Sequence, residues 1–119
     1  MDISDSYLQK KGCVIAAINN TKNNIVLPSD NWIRILIFDK STNKWIDVPN
    51  QMNYYPNENH ILFPKTDESE GISGFSVYPN VINNSQPIEV RIVVRGETEN
   101  WIPFVNKKVG AYIDLVLQP

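Results

Sequence analysis

The sequence predicts an all-β fold: an antiparallel two-sheet β-sandwich, immunoglobulin-like or related, with seven to nine strands. Three observations carry this. Short runs that alternate apolar and polar residues recur along the chain, which is the period-2 pattern of strands with one buried face. Clusters of Asn, Gly, Pro and Ser bound these runs, at the spacing of sandwiches and barrels. Helical periodicity is scarce.

The chain has 119 residues, of which 42% are hydrophobic and 20% charged. That is one domain by size, long enough to bury a core without staples and too apolar for a disordered chain. Residues 1–10 are expected to form an N-terminal arm and residues 11–119 a single sandwich domain.

The first run, Gly12 to Ile18, places Val14, Ala16 and Ile18 on one face. Asn19 to Asn24 reads as a turn, since Asn tolerates left-handed backbone and bonds locally. Ile25 to Leu27 is a short strand stopped by Pro28. Trp32 to Asp39 puts Ile33, Ile35 and Ile37 on one face. Lys40-Ser41-Thr42-Asn43 turns, with Asn43 suited to positive φ, and Lys44 to Val48 returns with Ile46 and Val48 inward. Pro49 to Asn59 is a polar and aromatic loop. Ile61 to Phe63 is a short strand, Pro64 to Gly71 an acidic loop, and Ile72 to Tyr78 a strand with Phe75 and Val77 on one face.

Ile88 to Arg95 has the clearest alternation. Ile88, Val90, Ile92 and Val94 face one way; Glu89, Arg91, Val93 and Arg95 face the other. A half-solvated antiparallel strand needs this pattern. Gly96 to Asn100 reads as a turn. Trp101 to Val105 is a weaker strand broken by Pro103, which places it at an edge or a bulge. Ala111 to Leu117 closes the domain with Ala111, Ile113, Leu115 and Leu117 inward. The expected core is Ile35, Ile37, Val90, Ile92, Ile113 and Leu115.

The closing stretch is a long alternating strand, a turn, then Gly110-Ala111-Tyr112-Ile113-Asp114-Leu115-Val116-Leu117. It resembles the last two strands of many bacterial immunoglobulin-like modules. The likeness is architectural and carries no function. The Cys–Trp pair of antibody domains is absent.

The formal net charge is −2, and Lys10-Lys11 and Lys107-Lys108 are the only adjacent basic pairs. No phosphate track results, and no nucleic-acid partner is expected. One cysteine, Cys13, excludes an intramolecular disulfide. The start MDISDSYLQKKG is polar and shows no signal-peptide pattern, which leaves cytoplasmic and processed secreted locations both open. No apolar run approaches membrane-spanning length, and a membrane is not the favoured partner.

Catalytic residues are scarce. His60 is the only histidine, and a lone His beside a strand is usually a packing or surface residue. One His and one Cys are too few for a zinc site. No Gly-x-Ser-x-Gly, phosphate loop or dinucleotide fingerprint occurs. Asp47, Asp67, Glu68, Glu70 and Asp114 offer carboxylates, but no spacing selects an acid–base pair. Thr66 to Gly71 gathers oxygen donors that could suit calcium, without the EF-hand order of ligands, and reads as a solvated loop. Asn19-Asn20-Thr21 and Asn83-Asn84-Ser85 fit the glycosylation sequon. Neither an enzyme nor a cofactor is expected.

Aromatic side chains are the remaining signal. Trp45 shares parity with Asn43 and Asp47, opposite Ile46 and Val48, so it faces the polar side. Tyr54 and Tyr55 lie in a polar loop, and Trp101 adjoins Asn100. Such rings beside amides and carboxylates suit sugar stacking or a protein interface. Trp45, Tyr54, Tyr55, Trp101 and Asp47 are therefore the candidate ligand-binding set, with packing under a long loop as the competing role. Trp32 shares its face with Leu36 and Phe38 and is assigned to packing. The expected function is a non-enzymatic binding module for a glycan or a protein partner. The alternatives are an assembly subunit associating through a sheet face, as a homo-oligomer, and a membrane-active toxin-type domain. The last requires Tyr54, Tyr55 and Trp101 to converge.

Overall fold

The computed structural model describes residues 1–8, 13–28, 32–48, 59–77, 86–99 and 107–117. These hold nine strands and no helix, arranged as two antiparallel sheets. The smaller sheet has the order β1-β2-β7, from β1 (Asp2–Leu8), β2 (Cys13–Ile18) and β7 (Ile72–Val77). The larger contains β3 (Ile25–Leu27), β4 (Ile33–Asp39), β5 (Lys44–Val48), β6 (His60–Leu62), β8 (Ile88–Thr98) and β9 (Lys108–Leu117). Its order is β5-β4-β8-β3-β6, with β9 also paired to β8.

β8 organises the larger sheet. Residues 90–94 pair with β4, while Glu97 and Thr98 pair with β3. β9 runs along the opposite edge of β8 over ten residue pairs. The inward register brings Ile35, Ile92 and Ile113 into one row, since Ile35 opposes Ile92 and Ile92 opposes Ile113. Ile15 and Ala17 of β2 and Phe75 and Val77 of β7 join Ile35, Val90, Ile92 and Val94 in a single buried cluster. Both sheets therefore contribute to one hydrophobic core. Of the six residues expected there, Ile35, Val90 and Ile92 are buried, while Ile37, Ile113 and Leu115 are half-buried against the cluster.

The β4–β5 hairpin follows its sequence closely. Residues 40–43 turn, and Asn43 takes φ 57°, a conformation that Asn accepts at small cost. Asp39 caps the turn by accepting from the Ser41 N–H and hydroxyl at 3.0 and 2.7 Å.

Several expectations change. Residues 1–10, read as an arm, include β1, which pairs with β2 from Asp2↔Ile18 to Leu8↔Cys13. Asp2–Leu8 is mostly polar, so it lacks the apolar rhythm that marks a core strand; an edge strand with one neighbour does not need it. In β2 the buried face is Ile15 and Ala17, not Val14, Ala16 and Ile18, which are half-buried. Gly96 does not end β8. It is buried in the strand, and a Cβ there would lie 2.7 Å from the Val26 carbonyl oxygen and 2.8 Å from Ile25 Cγ2. The glycine permits close approach of β3 rather than a turn. Ile46, expected inward, is 46% exposed because it sits on the edge strand β5. The strand read at Trp101 to Val105 lies outside the described residues.

Candidate functional site on the outward sheet face

The outward face of the larger sheet gathers aromatic and charged side chains. On β5, Trp45 opposes Phe38 of β4, with ring centroids 5.2 Å apart at 57°. Arg91 of β8 lies over both Trp45 and Tyr112 of β9. Its guanidinium carbon is 4.5 Å from the Trp45 ring centroid and 4.7 Å from that of Tyr112. A planar, weakly hydrated cation is well matched to such rings.

Two ion pairs frame this cluster. Leu36 opposes both Asp47 and Arg91, and Arg91 opposes Asp114, so the four form one row across four strands. Arg91 donates to Asp114 through Nε at 2.8 Å and Nη2 at 3.1 Å. Arg34, on the neighbouring row with Val93 and Tyr112, donates to Asp47 at 3.2 and 2.8 Å. Both contacts are bidentate, the geometry that fixes a guanidinium fork. Hydrogen bonding from Arg91 holds the Asp114 carboxyl below its ordinary range. The pairs are solvent-facing, so their worth is orientation more than stability.

The face is partly apolar as well. Leu36, Phe38, Trp45 and Val93 are half-buried, Val116 is exposed, and Tyr112 is 62% exposed. The Tyr112 ring thus combines a fixed cation neighbour with a large open surface. Such a face can stack a flat or apolar group and bond to polar groups at its margin.

Trp45 and Asp47 lie on this face, as their parity predicts. Tyr54, Tyr55 and Trp101 lie outside the described residues. Sequence reasoning did not single out Phe38, Arg91 or Tyr112 for the site. The outward parity of Arg91 and Tyr112 was legible; the register that aligns them with Trp45 was not, because it depends on which strands become neighbours.

The other candidates resolve into structural roles. Trp32 is buried, its ring 4.4 Å from Phe75 at 66°. It is packed as expected, but on the core side rather than beside Leu36 and Phe38, because it precedes β4 and escapes the strand alternation. His60 contacts the Ser73 hydroxyl at 3.2 Å and meets Phe75 edge-on at 5.5 Å; burial lowers its pKa from 6.5. Asn19 is buried, and its amide donates to the Asn23 and Leu62 carbonyls, each at 2.8 Å. Its side-chain oxygen accepts from Thr21 N–H and hydroxyl at 2.9 and 2.7 Å. The sequon at Asn19 is therefore a turn lock with its acceptor nitrogen engaged. The second sequon, at residues 83–85, lies outside the described residues. In the acidic loop, Asp67, Glu68 and Glu70 point to solvent, while the Thr66 hydroxyl accepts from the Glu68 and Ser69 backbone. Among the described residues, no group of three His, Cys, Asp or Glu is placed to hold a metal ion. A groove of about 430 Å³ opens beside Val26, Arg95, Glu97 and Lys108, with charges of both signs at its rim.

Comparison with known proteins finds no match: no family model, no curated protein and no solved structure is significantly similar to the chain.

Proposed function

We propose that the two sheets stack as an immunoglobulin-like β-sandwich, and that the chain is a non-enzymatic binding module recognising a glycan through the outward face of the larger sheet. The single observation that supports it is the Trp45–Arg91–Tyr112 stack. Arg91 is held by two rings and by Asp114, so the face is ordered before any ligand arrives, and little side-chain entropy remains to be lost on binding. A pyranose ring would lie on Tyr112, with its hydroxyls bonding to Asp114, Arg91, Asp47 or Arg34. Tyr54, Tyr55 and Trp101 remain candidates to extend the surface.

A second reading, a protein partner, is favoured by Leu36, Phe38, Val93 and Val116 on the same face. Interfaces are enriched in Trp, Tyr and Arg around an apolar centre. A glycan array probed with the wild-type chain and with Tyr112→Ala separates the two. Hits that Tyr112→Ala abolishes support the glycan reading. No hits, with capture of a protein ligand that Tyr112→Ala weakens, supports the second. Binding unaffected by the substitution overturns both.

A further inference from the structure

β9 is the longest of the edge strands among the described residues and has neither proline nor bulge; Lys108 and Asp114 are its only charged residues. Edge strands present a row of N–H and C=O groups, and folded proteins blunt them by shortness, charge, proline or bulges. β5 has five residues and β6 three. β1 is largely polar, and its ladder shifts register between Asp5 and Tyr7. β7 has six residues and carries Gly74. β9 has ten residues without proline, and its ladder to β8 runs without a shift. Among the described residues no strand pairs with its other edge; β1 passes beside it without forming a ladder. The core-facing row of β9 also stays incompletely covered. Val109, Ala111, Ile113 and Leu115 are half-buried, whereas Val90, Ile92 and Val94 on the adjacent strand are buried.

We propose that two copies of this chain associate by antiparallel pairing of β9 with its counterpart, about a two-fold axis at Ala111. The sequence of β9 is self-complementary in that register. Lys108 of each copy opposes Asp114 of the other, Gly110 opposes Tyr112, Val109 opposes Ile113, and Ala111 opposes itself. Opposite charges directly across a ladder attract, and an aromatic ring covers the gap left by a cross-strand glycine. Slips of two residues keep the faces matched but lose these pairs. One sets Lys108 against Tyr112, the other sets Lys108 against Val116 and Asp114 against Gly110. Slips of one residue would oppose core-facing and solvent-facing side chains. The paired β9 strands join the two larger sheets edge to edge, and the two Arg91–Tyr112 clusters then lie on one continuous face.

The test reads mass and cross-linking without ligand, so it stands apart from the binding proposal. Light scattering of the full chain is expected to give a concentration-dependent dimer, and Lys108→Glu to shift it toward monomer with an unchanged circular dichroism spectrum. In a Cys13→Ser background, Ala111→Cys is expected to form a disulfide-linked dimer on mild oxidation, because only this register sets residue 111 against itself. Ile113→Cys, which would face Val109, is expected to cross-link far less. A monomer at every concentration, or equal cross-linking at 111 and 113, overturns the proposal.

Discussion

The guanidinium carbon of Arg91 lies 4.5 Å from the ring centroid of Trp45, across a sheet in which the two residues belong to different, non-adjacent strands. The contact is diagonal: Arg91 opposes Leu36 on the intervening strand, and Leu36 opposes Asp47, two positions from Trp45. Long side chains reach that far along a sheet face. The contact ties the edge strand β5 to the centre of the sheet and gives the face a fixed shape.

Removal of Arg91 therefore opens Trp45. In a variant retaining only that tryptophan, Arg91→Ala is expected to raise acrylamide quenching and shift emission to the red. Trp45→Ala is expected to cost about 1–2 kcal/mol, from the ring pair with Phe38 and the cation contact together. Denaturant unfolding measures it. A loss of the size seen for core truncation would show Trp45 to be a core residue.

Truncating the shared core is far more costly. Ile92 is 1% exposed and lies between Ile35 and Ile113, so Ile92→Ala is expected to cost about 2–5 kcal/mol in transfer and cavity terms. A change below about 1 kcal/mol in urea unfolding would place this face outside the core.

The close approach of β3 alongside β8 rests on Gly96. A methyl group there meets a backbone carbonyl at 2.7 Å, which a side-chain shift cannot relieve. Gly96→Ala is expected to destabilise by about 1–3 kcal/mol, the usual range for overpacking, measurable as a fall in the denaturant midpoint with the slope unchanged.

Acid should act through His60. Burial lowers its folded pKa below the ordinary 6.5, so the unfolded chain takes up a proton first. Its contribution is complete above that value and is lost as pH falls through the lowered folded pKa. His60→Gln is expected to flatten the stability profile just below pH 6.5; an unaltered slope would remove His60 as the cause.

Much of the fold was legible because strands write their buried face every second residue. Ile88 to Val94, the β4–β5 hairpin and the turn at Asn43 follow from local pattern alone. β1 was not legible, since an edge strand of Asp and Ser carries no such signal. Gly96 reads as a turn in the sequence because glycine serves both turns and close approaches between paired strands, and only the position of β3 decides between them. Within the site, the outward orientation of Trp45 and Asp47 came from parity. Arg91 and Tyr112 joined them through long-range register, which no local pattern encodes.

The most direct test of the binding face is a glycan array probed in parallel with the wild-type chain, Tyr112→Ala and Trp45→Ala, all first shown folded by circular dichroism. Binding by the wild type that falls at least about tenfold in both variants, equivalent to about 1.4 kcal/mol of lost affinity, is the expected result. Wild-type binding that both variants retain undiminished would contradict the assignment of this face.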